Sequence, residues 1–235
     1  MDSFLSGYTH VQEPMHDTDC GDILGYELLV REELNGEQFS GANDIVQRFT
    51  SSGQIQWLDA QGVRKAIDSI VESGSASNQI YSANVSRFSL EHREFEEYVE
   101  SLIGGVDLGG RFYLDIMDMK FSYLRWQLQY SINRLKDKGA KFILGNLSQN
   151  TLSLLDVIDF GYVKIQQKQI DEDPVLCARL VQRVRDSGAV PIAVGVETQV
   201  QLNSVRNIGI GLLQGYHVEG PQALYQQALW DLQAS

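Results

Sequence analysis

Short apolar or β-branched runs alternate with longer segments of helical spacing, and this alternation constrains the fold more than any other feature. The strand-like runs are ILGYELLV at 23–30, IYSANVS at 80–86, RFYLDIM at 111–117, KFILG at 141–145, FGYVKI at 160–165, AVPIAVGV at 189–196 and IGIGLLQG at 208–215, with an eighth candidate, GYTHVQEPM, at 7–15. Strands that alternate with helices favour parallel pairing through crossover helices. Eight such strands close a (β/α)₈ barrel.

Helical spacing is clearest at 58–73, 122–139 and 174–188. Gly139 and Gly188 stand where helix C-termini are expected, and Pro174 stands at a first helical turn. No linker or low-complexity tract divides the chain, so we predict a single domain over 1–235. An open doubly wound sheet is the alternative, but no GxGxxG follows a first strand.

The charge balance narrows the classes of partner. Nineteen Lys and Arg against 31 Asp and Glu give a formal charge of −12, which disfavours direct nucleic-acid binding through a broad basic face. Cys20 and Cys177 form no CxxC, as is typical of a reducing compartment. Without a signal-peptide pattern or a membrane-length apolar run, the sequence predicts a cytoplasmic protein that does not enter a membrane.

Polar residues recur at the ends of the predicted strands. They are Asn84, Asp115, Asp118, Asn146, Lys164, Glu197 and Gln214. In a barrel of parallel strands these ends meet on one face, which is where active sites are built. We therefore expect one functional constellation at the carboxyl end of the barrel.

These motifs resemble the EAL domain, a bacterial phosphodiesterase that linearises cyclic di-GMP. The resemblance begins with YELLVR at 26–31 and continues in order through SANVS, LDIMD, KFILGNL, VKI, VGVETQVQL and LLQGYHVEGP. It covers nearly the whole chain. The fold it implies is an α/β, modified (β/α)₈ barrel of EAL type with one antiparallel strand.

The resemblance also implies a chemistry, in which Mg²⁺ or Mn²⁺ activates a water to attack a phosphodiester. Ligand-binding positions carried over are Glu27, Leu29, Arg31, Asn84, Asp115 and Gln214. Among these, Glu27 and Asn84 match metal ligands, and Asp115 stands where the family has a glutamate. Lys164 matches a lysine that orients the water, and Glu197 matches the second glutamate of an EGVE motif.

Two departures from the family pattern bear on activity. Gly145 and Asn146 replace two adjacent aspartates, so one metal-ligand position has no side-chain donor and the other is neutral. Val194 replaces the first glutamate of EGVE, a candidate general base. We therefore expect the metal positions to be vestigial and no cofactor to be needed, with Mg²⁺ or Mn²⁺ relevant only to residual activity.

Three functions follow from the resemblance. The first is a regulator that does not hydrolyse cyclic di-GMP and binds a protein, as EAL-like regulators do with the FlhD subunit of a flagellar transcription activator. The second is a cyclic di-GMP receptor that does not cut its ligand, and the third is a weakly active phosphodiesterase. Purely structural roles also remain as alternatives: Lys164 as an ion-pair partner, Asn84 as a loop cap, and Glu27 with Arg31 as a surface pair.

Overall fold

The computed structural model describes residues 7–34, 38–40, 42–117 and 119–215. Its strands are β1 (Tyr8–Asp17), β2 (Ile23–Leu34), β3 (Gln38–Ser40), β4 (Ile80–Ser86), β5 (Phe112–Met117), β6 (Lys141–Leu144), β7 (Tyr162–Gln166), β8 (Val190–Val194) and β9 (Leu212–Gln214). All eight strands predicted from the sequence are present. The short β3 was not predicted.

The helices lie between the strands, as the alternation predicts. They are α1 (Ala42–Ser51), α2 (Ile55–Ser73), α3 (Arg87–Leu90), α4 (Arg93–Ile103), α5 (Trp126–Asp137), α6 (Gln167–Glu172), α7 (Pro174–Asp186) and α8 (Gln199–Asn207), with 3₁₀ turns at Phe121–Tyr123 and Leu152–Asp156. Pro174 opens α7, and positive φ angles of 100° at Gly139 and 87° at Gly188 follow α5 and α7. The helix-end predictions are therefore confirmed.

Eight strands form a closed barrel in the order β1-β9-β8-β7-β6-β5-β4-β2, which the β1–β2 pairing completes. Strand β1 is antiparallel to both of its neighbours, whereas β2 and β4 to β9 pair in parallel. The modified barrel with one antiparallel strand is thus confirmed. The extra strand β3 pairs with β2 outside the closed barrel.

Side-chain alternation divides each strand between an outer and an inner face. On β4, Tyr81, Ala83 and Val85 belong to the large outer core that the helices cover. A smaller cluster fills the barrel interior, and we call it the apolar floor: Met15, Ile80, Tyr113, Ile143 and Ile192, with Leu24, Tyr162, Val194 and Leu212 against it. One step further along the strands, the inward-facing positions become polar, and this change defines the candidate site.

Gly25 on β2 shows how tightly the barrel wall is built. A Cβ atom there would lie 2.1 Å from the carbonyl oxygen of Ile80 on the neighbouring β4. Only glycine permits this approach of the two backbones.

None of the helices in the described ranges is both long and apolar enough to span a membrane.

Candidate functional site at the carboxyl end of the barrel

Lys164 lies at the centre of the polar layer above the apolar floor. Its Nζ is 2.7 Å from Oε2 of Glu27 and 2.6 Å from Oδ2 of Asp115. All three side chains are almost fully buried, with exposed fractions of 5%, 7% and 0%. A single ammonium group therefore neutralises part of the charge of two carboxylates from strands β2 and β5.

Two amides complete the surroundings of Glu27. Asn84 Nδ2 donates to Oε1 of Glu27 at 2.6 Å, and Gln214 Nε2 donates to Oε2 at 2.5 Å. Since Lys164 also donates to Oε2, both oxygens of this carboxylate are occupied by groups of the protein itself. Glu27 is held in place by β4, β7 and β9 together.

Glu13 is a further residue of this site that the sequence analysis missed. It lies directly opposite Glu27 in the β1–β2 register, and Gln214 Nε2 donates to its Oε2 at 2.5 Å. One amide thus holds two carboxylates. The signal was available in the alternation of β1, because Glu13 is two residues from the inward-facing Met15. The mouth cluster then comprises Glu13, Glu27, Asn84, Asp115, Lys164 and Gln214.

Burial and charge act in opposition on the acids of the mouth cluster. Burial would raise the pKa of Glu27, but Lys164 and the hydrogen bonds to Glu27 lower it below its ordinary value. Burial raises the pKa of Asp115 to about 6, despite the opposing effect of Lys164 and with a contribution from Glu27. Burial also raises the pKa of Glu13, and neighbouring Glu27 adds to that rise. Although burial opposes it, the two carboxylates raise the pKa of Lys164 above its ordinary value.

Gly145 follows β6 and is buried beside Asp115, but it has no ligand atom. A Cβ at this position would lie 2.5 Å from Asp115 Oδ1 and 2.5 Å from Met117 Sδ. Asn146 is exposed. Of the two residues that replace the family aspartates, one therefore has no ligand atom and the other has a side chain outside the buried cluster.

The β8 residues of the predicted site do not join the mouth cluster. Val194 is opposite Gln214 in the β8–β9 register and packs against the apolar floor. Glu197 is exposed just before α8, and its backbone N–H donates to the side chain of Gln201 at 2.9 Å. Asp118 lies outside the described residues. The structure thus brings together Asn84, Asp115, Lys164 and Gln214 from the predicted constellation, with Glu27 from the family motif.

A cavity of about 240 Å³ adjoins the mouth cluster. Glu27, Leu29, Asn84 and Met117 are among the residues that line it. Arg31, two residues beyond Leu29, is half-buried, and its Nη1 donates to the carbonyl of Val30 at 2.9 Å. The cavity is large enough for part of a small ligand, and its polar wall is shared with the mouth cluster.

The mouth cluster supplies an incomplete ligand set for a pair of divalent cations, although Asn84 Oδ1, Gln214 Oε1 and Asp115 Oδ1 are buried without a hydrogen-bond partner. Mg²⁺ requires near-octahedral oxygen ligation, yet both oxygens of Glu27 already accept hydrogen bonds from the protein. One oxygen of Asp115 lies against Lys164, and Gly145 offers none. Across the described part of the chain, no group of three or more His, Cys, Asp or Glu side chains could hold a metal ion.

Fold and site together define an α/β barrel protein with one antiparallel strand and a buried polar centre at the carboxyl ends of its strands. A sequence model of the EAL domain matches residues 8–221, and this chain belongs to the EAL domain family. No curated protein sequence gives a significant match to the chain.

Solved structures support the fold. The PaMucR phosphodiesterase in complex with c-di-GMP has a TM-score of 0.80 and 16% identity, over 94% of this chain and 96% of that one. An EAL domain protein from Listeria monocytogenes EGD-e has a TM-score of 0.77 and 18% identity, over 94% and 92%. The EAL enzyme Bd1971, bound to cAMP and cyclic di-GMP, has a TM-score of 0.79 and 16% identity, and the match covers 96% of this chain but 66% of that one.

Proposed function

We propose that this protein is a catalytically degenerate EAL-domain regulator in cyclic di-GMP-related signalling, which acts by binding a protein rather than by hydrolysis. The observation that carries the proposal is the pairing of Lys164 with both Glu27 and Asp115 at 2.7 and 2.6 Å. With Gly145 and Asn146 in place of two aspartates, the family acids that remain at the site are the two that already contact an ammonium group.

The chemistry of the remaining groups supports the same conclusion. Phosphodiester hydrolysis by this class of site needs an activated water and a group that accepts its proton. Lys164 is protonated because its pKa is raised, so it cannot serve as a base. Val194 carries no basic atom, and Glu197 is exposed outside the mouth cluster. The two positions that the family motif offers for a base, 194 and 197, therefore supply none inside the mouth cluster, which supports the proposal.

The partner we propose is a transcriptional regulator of motility or adhesion, of the FlhD-subunit type. A formal charge of −12 favours a partner with a basic face, as DNA-binding proteins have, because complementary charge speeds association and selects partners. The barrel exterior offers several helical surfaces for such a contact. Charge supports the class of partner, and the test below addresses its identity.

A second candidate function is a cyclic di-GMP receptor that does not cut its ligand. The cavity of about 240 Å³ beside Glu27, Leu29 and Asn84 favours it, with Arg31 close by. The related structures of PaMucR and Bd1971 contain cyclic di-GMP. A weakly active phosphodiesterase with Mg²⁺ or Mn²⁺ is the third candidate, and it would ligate its cation through oxygens that do not contact Lys164, such as Asp115 Oδ1.

One set of measurements tests these candidates. The protein is incubated with cyclic di-GMP and Mg²⁺ or Mn²⁺, and the linear product pGpG is followed by chromatography. In parallel, the protein is mixed with a purified FlhD-type subunit and the complex is sought by size-exclusion chromatography with light scattering. We expect no pGpG and a defined complex. Multiple turnovers of cyclic di-GMP would overturn the proposal, whereas binding without product would favour the receptor.

A further inference from the structure

Glu13 and Glu27 form an unusual pair in the barrel wall. They are directly opposite across the antiparallel strands β1 and β2, where like charges are destabilising. The arrangement is held by Gln214, whose Nε2 donates to an oxygen of each at 2.5 Å. The two carboxylate oxygens therefore lie within about 5 Å of each other, on either side of one amide nitrogen.

Every side-chain nitrogen of the mouth cluster is directed at a carboxylate. Gln214 Nε2 donates to Glu13 and Glu27, Asn84 Nδ2 donates to Glu27, and Lys164 Nζ contacts Glu27 and Asp115. Ionised carboxylates only accept hydrogen bonds, so the orientation of both amides is fixed by their partners. Both N–H groups of the Gln214 amide are thereby committed to carboxylates.

The unsatisfied atoms of the mouth cluster are all oxygens. Asn84 Oδ1, Gln214 Oε1 and Asp115 Oδ1 are buried and have no hydrogen-bond partner. The second oxygen of Asp115 is 2.6 Å from the Lys164 ammonium, so we count it as paired. The site therefore presents acceptors to an incoming group, and a phosphate oxygen is itself an acceptor.

We propose that Glu13 is a specificity-determining residue that excludes the phosphates of cyclic dinucleotides from the mouth cluster. The inference rests on the proposed function, because it explains why an EAL barrel would serve a protein partner instead of its nucleotide. The one ammonium contacts two carboxylates, and Glu13 adds a third carboxylate opposite Glu27, joined to it through the Gln214 amide. A phosphate that entered would compete with these carboxylates for donors and would meet their negative charge.

Glu13→Gln is the direct test, because the two side chains have the same shape. The substitution removes one negative charge and supplies an NH₂ group that can donate to Glu27 or to phosphate. It also relieves the opposition of two acids across β1 and β2, so the fold should be retained. Glu13→Ala removes the charge without adding a donor. Glu72→Gln is the matched control, since Glu72 is exposed in the last turn of α2, at the opposite end of the barrel.

Cyclic di-GMP is titrated calorimetrically into the wild type and the three variants, in EDTA so that no divalent cation bridges phosphate to carboxylate. We expect binding to Glu13→Gln to be at least about tenfold tighter than to the wild type, with Glu13→Ala intermediate and Glu72→Gln unchanged. If Glu13→Gln binds no more tightly than the wild type, or if Glu72→Gln matches it, the role of Glu13 is refuted. Thermal unfolding of each variant shows that the proteins titrated are folded.

The same samples separate this inference from the proposed function. Each is afterwards supplied with Mg²⁺ or Mn²⁺ and assayed for pGpG. Product from the wild type would refute the proposed function, whatever the titrations give. Absence of product together with equal affinities for wild type and Glu13→Gln would refute only the role of Glu13.

Discussion

Replacing Lys164 by methionine removes the central ammonium of the mouth cluster and keeps a side chain of similar length. Glu27 and Asp115, whose side chains are 7% and 0% exposed, would then remain buried without their cationic partner. Breaking a buried ion pair from one side is costly because an uncompensated charge remains. We expect Lys164→Met to be among the most destabilising substitutions that leave the barrel wall intact.

The magnitude follows from the contacts. At an effective dielectric constant of about 20, charges about 2.7 Å apart attract by about 6 kcal/mol, and Lys164 makes two such contacts. Desolvation of the ammonium offsets several kcal/mol of this attraction. The net loss on removing one partner of a buried pair is about 3–5 kcal/mol, and this is the change we expect in the free energy of unfolding.

The loss should depend on pH. Burial already raises the pKa of Asp115 to about 6 with Lys164 in place, and removal of the ammonium would raise it further. The folded variant then binds more protons than its unfolded state between about pH 4 and pH 7, so its stability increases as the pH falls. The difference between wild type and Lys164→Met should therefore be largest at pH 8 and smaller at pH 5.

Urea unfolding followed by circular dichroism measures this difference at both pH values. Lys168→Met is the matched control, since Lys168 is 85% exposed and its contact with Glu172 is 3.8 Å long. The control should change stability by less than about 0.5 kcal/mol. If Lys164→Met loses less than about 1 kcal/mol at pH 8, the ammonium does not hold the two carboxylates, and both remain available to a metal ion.

Three further predictions use the same structure. The double variant Gly145→Asp, Asn146→Asp should yield no pGpG, because Val194 still supplies no base, and turnover would contradict this. It should also lower the free energy of unfolding in urea by about 1–3 kcal/mol, because the new Cβ at 145 would lie 2.5 Å from two side chains. Burial raises the pKa of Asp59 to about 7, so wild-type stability should fall by up to about 4 kcal/mol from pH 4 to pH 7, and Asp59→Asn should flatten that pH profile. Gly25→Ala should lose about 3 kcal/mol in the same unfolding assay, because its Cβ would meet a backbone carbonyl at 2.1 Å; a loss under 1 kcal/mol would show that the wall can adjust.

The barrel was predictable because its signals are repeated along the chain. Each strand is a short apolar run between turn residues, and all eight runs can be identified in the sequence alone. Helices α2, α5 and α7 were predicted by range, whereas α1, α4 and α8 were not, and the shortest elements carry the weakest patterns. Strand β3 has three residues, α3 has four and α6 has six, too few for a helical or alternating period to be seen.

The candidate site was predictable in position along the strands but not in side-chain direction. Ile143 faces the apolar floor, so Gly145 shares its inward parity and Asn146 does not. Glu197 lies three residues past the end of β8, where alternation no longer applies. Glu13 was missed because it stands in the antiparallel strand β1. Along the chain this strand runs from the carboxyl end of the barrel towards the apolar floor, so its inward-facing positions reach the polar layer first.

Two of the departures from the family pattern, at positions 115 and 145, are physically coupled. Asp115 Oδ1 lies 2.5 Å from where a Cβ at position 145 would stand, so the present position of Asp115 depends on the glycine. Asp115 in that position also contacts Lys164, which in turn binds Glu27. An aspartate restored at 145 would therefore have to displace Asp115 and loosen the ammonium before any cation could enter. The inward-facing Glu13 adds a third carboxylate to a centre whose carboxylates already contact donors of the protein. For this reason we expect that efficient hydrolysis would require simultaneous substitutions on β1, directly after β6 and on β8, and that the change after β6 would be unfavourable alone.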